Sequence, residues 1–287
     1  MAITVREIER GSIEPEETYY YSIPKNVSIE PNYTNAQEAG ARMAIVVNEQ
    51  LAQAKEQNEK VLLLLAGGSA FAAYEGINQE LLGPHVAIGM ADDRYVADPT
   101  LSNMEQFQQT ALYQRAVAAG SDIIDSRQQY AEPLQAFADR YDRQIMRYVG
   151  EKRKIILVLG MGGTGNAEGH VAGIAPGLNS YDNTDAYYKL FGPANQTRAV
   201  EGYHAGGKIT PVDTRVTITP NFITNIMGSN DTTILLTTGD AKARAVRESF
   251  NPMGTVQQIP GRVMQLLRGH GHVILDRPAA SQLRSAR

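Results

Sequence analysis

The chain has 287 residues, 43% hydrophobic and 20% charged, with a net charge of −4 and no cysteine. Such a length and mixture allow one large domain or two ordinary ones, either with a sizeable core. The slight acidity leaves no basic footprint for nucleic acid, and the lack of thiols excludes disulfides, thiolate nucleophiles and cysteine metal sites.

Residues 1–33 mix Thr, Val, Tyr, Pro and Glu without a clear period, with "ETYYYSI" a candidate strand. They read as an N-terminal extension packed on a main domain of residues 34–287. The opening "MAITVREIERGSIEPEE" is charged from its first turns and has no apolar h-region, so no signal peptide and a cytoplasmic location are expected. "TNAQEAGARMAIVVNEQLAQAKEQNEK" is a helix that Thr34 or Asn35 can cap. "VLLLLAGG" then reads as a buried strand ending in glycines, and "SAFAAYEGINQELL" as a helix. The apolar run Val61–Ala66 is far short of the ~20 residues a membrane helix needs.

The alternation continues with a strand "HVAIGMADD", a helical segment after Ser102, the amphipathic helix "PLQAFADRYDRQIMRYVG" and the buried strand "KIILVLG". A strand "RVTIT", a short helix from Pro220, a strand "TTILLTTG", a helix from Asp240 and a last strand "HVILD" complete it. Short apolar strands alternating with helices predict a single three-layer Rossmann-like α/β domain with a mostly parallel sheet. In such sheets the working site lies beyond the carboxyl ends of the strands.

Four strand ends carry chemistry. In "LAGGSA", Gly67 and Gly68 bare the backbone to an anion, and Ser69 sits where a helix is expected to begin. That is either a phosphate cradle or a tight turn with a capping serine; the lysine of a Walker loop is absent. In "MADDRYV", Asp92, Asp93 and Arg94 cluster at an emerging strand, where charges need a partner or a ligand. Alternation sends Asp92 and Arg94 to one side and Asp93 to the other.

"GMGGTG" matches a dinucleotide fingerprint at Gly160, Gly162 and Gly165. The fingerprint needs a long helix next, and Gly169, Gly173, Pro176 and Gly177 oppose one. A glycine-lined loop carrying Glu168 and His170 remains, placed for acid–base work beyond a central strand. The fourth end is a pair of cations, Arg215 opening "RVTIT" and Lys242 in "TTGDAK". With the glycine turn they could surround one phosphate, Arg as a planar fork and Lys as a point charge. "GHGH" at Gly269–His272 reads as a loop before the last strand rather than a metal site, since no third ligand is near.

The order of these motifs resembles the 6-phosphogluconolactonase family, whose wider superfamily includes glucosamine-6-phosphate isomerase/deaminase. "GGSA" at Gly67 resembles its GGST-type loop, "DDRYV" at Asp92 with "SN" at Ser102 its D-E-R-x-V and S-N segments, and "EGHVAGIAPG" at Glu168 its D-G-H-T-A-S-L-F-P-G loop. "RVTIT" at Arg215, "GDAK" at Gly239 and "LDRPAAS" at Leu275 follow in family order, so the likeness spans roughly residues 34 to 281. Arg94 and Asn103 resemble the lactonase branch. The deaminases carry D-E-Y and S-Y there, and an N-E-P after the histidine where this chain has "GIAPG". Departures are Asp93 for the family glutamate, Glu168 for the aspartate before G-H, Ala70 for a threonine, and four extra residues between Gly162 and Glu168.

The resemblance implies a NagB/RpiA/CoA-transferase-like fold and hydrolysis of 6-phospho-D-glucono-1,5-lactone, a step of the pentose phosphate pathway, without cofactor or metal. It makes His170 the base that activates water and Glu168 an orienting carboxylate. Arg94, or nearby backbone N–H groups, would stabilise the oxyanion, with Asp92 holding Arg94 or contacting sugar hydroxyls. Gly67, Gly68, Ser69, Asn103, Arg215 and Lys242 would bind substrate and phosphate. The expected partner is a small sugar phosphate, bound by a monomer or homo-oligomer, with no nucleic acid or membrane. Alternatives are a glucosamine-6-phosphate isomerase or deaminase, a catalytically weak sugar-phosphate-binding protein and, weakest, a nicotinamide dehydrogenase.

Overall fold

The computed structural model describes residues 23–162, 169–177, 184–209 and 212–283. Most of the candidate strand "ETYYYSI", Gly165, Glu168 and the four extra residues lie outside them. Seven parallel strands form the main sheet in the order β1 (Val27–Tyr33), β10 (His270–Asp276), β9 (Thr232–Thr237), β6 (Lys154–Gly160), β2 (Val61–Leu65), β3 (Val86–Met90) and β5 (Asp122–Ile123). Strands β4 (Asp92–Arg94), β8 (Thr214–Ile218) and β7 (Val200–His204) form a small antiparallel sheet.

Alternation along the central strands feeds two cores, as a parallel sheet covered on both faces requires. Leu63, Leu65, Ile88, Ile156 and Val158 face one side with Met43, Val47 and Leu51 of α1 (Ala36–Glu56) and with Met104 and Phe107 of α2 (Asn103–Gln108). Leu112 and Ala116 of α3 (Ala111–Ala118) complete that side. Leu62, Leu64, Leu157, Leu159 and Leu235 face the other, against Phe137, Tyr141 and Ile145 of α4 (Leu134–Gly150). A smaller cluster joins Ala186 and Leu190 of α5 (Thr184–Phe191) to Tyr203 and Ile174, and α6 (Ala243–Phe250) buries Val246 and Phe250. No described helix is long and apolar enough to cross a membrane.

Local chemistry places the helix starts. The Asn35 side chain accepts from the Glu38 amide at 3.0 Å and caps α1, and the Glu38 carboxylate accepts from the amide of Thr34, the residue before the cap, at 2.7 Å. Ser102 caps α2 by accepting from the Glu105 amide at 3.2 Å.

Several expectations change. The stretch after β2 forms two 3-10 turns, Gly68–Gly76 and Gln79–Leu81, rather than a helix; Gly67 holds the cap position of the first, so Ser69 is not its cap. The short helix expected from Pro220 is the single wide turn Phe222–Ile226. "RVTIT" belongs to the antiparallel sheet, and "GHGH" is the start of β10 rather than a loop. The expected boundary at residue 34 falls immediately after β1, which is a strand of the main sheet.

Candidate active site

The chain works outward from β2 in both directions, so β2 and β6 flank the point where strand order reverses. In open α/β sheets a ligand binds in the crevice at that point, beyond the carboxyl ends of the strands. Beyond β2, the Tyr74 hydroxyl donates to the Ala66 carbonyl at 2.8 Å and pins the strand end. A side chain at Gly67 would overlap the Asn103 amide, and Gly68 takes a left-handed φ of 67° facing open space. Ser69 follows, exposed.

Beyond β3 the chain crosses to the small sheet. Tyr141 holds the exit, accepting from the Met90 amide at 2.9 Å and donating to the Met90 carbonyl at 2.6 Å. Asp93 turns inward and is completely buried. It accepts from the amides of Arg94, Asn103 and Met104 and the hydroxyls of Ser102 and Ser126, at 2.7–3.1 Å. Burial still pushes its carboxyl up to about 6. Asp93 is thus an anchor that fixes the start of α2, and with it Asn103, against β4.

Asp92 and Arg94 turn to the other side. Asp92 Oδ2 lies 3.3 Å from Arg215 Nη1, so its partner is Arg215 rather than Arg94. Arg94 donates from Nη1 to the Leu101 carbonyl at 2.9 Å. Arg94 and Arg215 are direct cross-strand partners, an arrangement that repels when unscreened. Burial first, and then Arg215, push the Arg94 guanidinium down. The Nε atoms of both arginines are buried without a hydrogen-bond partner, as is Asn103 Oδ1.

His170 arrives on the loop after β6. The Gly162 amide donates to the His170 carbonyl and the Gly169 amide to the Gly162 carbonyl, both at 2.8 Å. The bare Cα of Gly162 lies against the imidazole, where any side chain would overlap it. The glycines therefore seat His170 rather than a dinucleotide. Gly173, at φ 65°, lets the loop return beside the Asp92 carboxylate, which a Cβ would meet at 2.7 Å. From behind, the Gly261 amide donates to the Gly169 carbonyl at 2.9 Å.

Lys242 comes from the turn after β9. Gly239, at φ 91°, gives its amide to both oxygens of Asp276 at 3.0 Å, and Asp276 also accepts from the Ala279 amide at 2.9 Å. The "LDRPAAS" motif thus braces the lysine turn. Burial alone pushes the Lys242 ammonium down.

These parts meet in one cavity of about 610 Å³, lined by Gly67, Gly68, Ser69, Asp92, Arg94, Asn103, His170, Arg215 and Lys242. Every described site candidate is among its walls; Glu168 lies outside the described residues. Gln37 in the first turn of α1, and Thr237 and Thr238 at the end of β9, also line it. Thr237 was discoverable from its place at a strand end, and its hydroxyl is buried without a partner. Gln37 had no such signal, because the amino end of a helix flanking the sheet is not a strand end. Three cations face one described carboxylate, so the walls have an excess of positive charge suited to an anion.

A sequence profile of the family described as glucosamine-6-phosphate isomerases/6-phosphogluconolactonase matches residues 34–274. No curated protein matches the sequence. Among solved structures, the 6-phosphogluconolactonase of Trypanosoma brucei is similar at 21% identity and a TM-score of 0.68, covering 93% of this chain and 100% of its own. That of Leishmania guyanensis is similar at 18% identity and a TM-score of 0.66, covering 90% and 98%. The 6-phosphogluconolactonase of Thermotoga maritima gives 18% and 0.61, covering 86% and 98%. At these identities the likeness establishes the fold, an α/β arrangement of a seven-stranded parallel sheet with a small antiparallel one. The profile match over most of the chain establishes more: the protein belongs to the glucosamine-6-phosphate isomerase/6-phosphogluconolactonase family of sugar-phosphate enzymes.

Proposed function

We propose that this protein hydrolyses 6-phospho-D-glucono-1,5-lactone to 6-phosphogluconate. One observation carries the reading. His170 shares a cavity with the glycine turn and three cations, while the one described carboxylate there, Asp92, is engaged with Arg215. Isomerisation or deamination of an amino-sugar phosphate moves protons between carbons and needs a carboxylate free to act as base. Lactone hydrolysis needs one base for water and donors for an oxyanion.

In this reading the phosphate sits among the amides of Gly67 and Gly68, the Ser69 hydroxyl, Arg215 and Lys242. Its binding energy fixes the lactone carbonyl near the imidazole. Neutral His170 takes a proton from water as the water oxygen bonds to the carbonyl carbon. Arg94 and Asn103 stand on the side where the oxyanion develops. The intermediate collapses by breaking the bond to the ring oxygen, and His170 returns the proton to that leaving alkoxide. Glu168 would orient the loop or the ring.

The test is a stopped-flow assay with freshly generated lactone, since spontaneous opening hides slow catalysis. Acid release well above the spontaneous rate, without ammonia release from glucosamine 6-phosphate, is the expected result. Ammonia release without lactonase activity would replace this reading with the deaminase, and saturable binding of 6-phosphogluconate without turnover would leave a binding protein.

A further inference from the structure

A second cavity, of about 430 Å³, shares no lining residue with the first. It lies between the end of α5, the turns Pro193–Asn195 and Phe222–Ile226, and the stretch Gly254–Leu266. None of its described lining residues is acidic. Its walls include Asn195, Asn221, Gln257, Thr224 and Phe191. The Asn195 amide donates to the Tyr188 carbonyl at 3.4 Å, and the Asn221 amide donates to the Gln196 carbonyl and accepts from Asn225, both at 2.9 Å. The Thr224 hydroxyl donates to the Pro220 carbonyl at 3.0 Å.

Among the described lining residues Arg262 alone is charged, and it is 94% buried, with 6% of its surface exposed. Its Nη1 donates to the Asn251 carbonyl at 2.7 Å. Its Nε has no partner. Among the described residues its one ion-pair partner is Glu248 at 4.0 Å, a carboxylate that also pairs with Arg247 at 2.8 Å. Burial accordingly pushes the Arg262 guanidinium down. A buried guanidinium that only shares a counter-charge at 4.0 Å gains from a closer one. The second amide hydrogens and the lone pairs that these bonds leave over can meet a row of hydroxyl groups, and an aromatic face suits the carbon skeleton between them.

We infer that this cavity is a second binding site, for a small polyhydroxylated carboxylate whose carboxyl group pairs with Arg262 and whose hydroxyls meet the amide wall. The site lies behind the His170 loop. Gln257, one of its walls, accepts through its backbone carbonyl from the Gly177 amide, and Gly261, next to Arg262, holds Gly169. A ligand there would touch the segment that grips both described ends of that loop.

The experiment titrates D-gluconate and, separately, the neutral polyol sorbitol into the full chain by calorimetry. It compares the unmodified protein with Arg262→Gln, Gln257→Ala and Arg215→Ala. Gluconate is expected to bind saturably, within threefold in Arg215→Ala, at least tenfold weaker in Arg262→Gln and at least threefold weaker in Gln257→Ala. Sorbitol is expected to bind at least tenfold more weakly than gluconate. Absence of saturable gluconate binding overturns the inference, as does equal sorbitol binding. Loss in Arg215→Ala with retention in the other two would assign the binding to the first cavity and also overturn it. If Arg262→Gln fails to fold, Gln257→Ala against Arg215→Ala decides. None of these readouts depends on lactonase activity.

Discussion

Two regions of the molecule are built from the same side chains and end in opposite states. At the β1–β10 edge, Glu30 accepts from Arg42 Nε and Nη2 at 2.8 and 3.1 Å and from the Tyr33 hydroxyl at 2.5 Å, with His272 at 4.0 Å. At the carboxyl ends of β2 and β6, Asp92 meets one arginine at 3.3 Å, while Arg94, Lys242 and His170 line the same space. No atom of the edge cluster is buried without a partner, whereas Arg94, Asn103, Arg215 and Thr237 of the cavity each have one that is. The first cluster neutralises itself and ties β1 to α1. The second keeps an electrostatic debt that an anionic ligand can settle. Charge and residue type do not separate these two regions; the pairing of their groups does.

The comparison breaks most directly at the imidazole. His170→Ala is expected to lower lactone turnover by ~10²–10⁴-fold, the usual contribution of a positioned base. Its melting temperature should stay near that of the unmodified protein, because the loop is held by backbone bonds through Gly162, Gly169 and Gly261. Near-normal turnover would remove His170 from the base role.

Lys242→Met sharpens it. A half-buried ammonium with no paired carboxylate is removed, so the empty protein should be as stable as before or more so. Substrate loses a charge-assisted contact of ~1.5–3 kcal/mol, so KM should rise roughly tenfold or more. Arg42→Met is the mirror image. It strands the nearly buried Glu30 carboxylate, so urea denaturation should show a loss of about 1–3 kcal/mol with unchanged KM. A kinetic effect from Arg42, or a stability loss from Lys242, would erase the distinction.

The contrast also explains what was legible in the sequence. β2, β3, β6 and β9 were readable because strands buried on both faces must be apolar throughout, and their ends located the cavity. β1 was not, because "VSIEPNY" carries Glu30 and Pro31, and the Arg42 that makes Glu30 tolerable lies twelve positions away. β7 hides Glu201 in the same way, beside Arg198 at 2.7 Å. The turn after β2 read as a helix because alanines favour one. It is instead pressed against α1, where a Cβ on Gly40 would meet that of Ala73 at 2.8 Å. Within the site, residue types and order were visible, but partners were not. Asp92 reaches across to Arg215, 123 positions away, through a strand pairing that no local pattern encodes.

The smallest effect concerns acid. His272 beside it, then the Arg42 fork and the Tyr33 hydroxyl, hold the Glu30 carboxyl well below the usual carboxylate range against the opposing effect of burial. The reciprocal shift appears on Tyr33, which burial and then Glu30 push up to about 12. A carboxyl whose folded value is depressed contributes its full stability above the unfolded value, roughly 4.3. The contribution fades as the pH falls below that, because the unfolded chain takes up the proton first. Urea midpoints between pH 6 and 3 should therefore fall more steeply for the unmodified protein than for Glu30→Gln, whose amide does not titrate. Other carboxylates add the same acid loss to both proteins, so the difference between the two curves isolates this group. Parallel curves would mean that Glu30 is no better paired than the carboxylate in the cavity, and the contrast between the two regions would fail at its structural end.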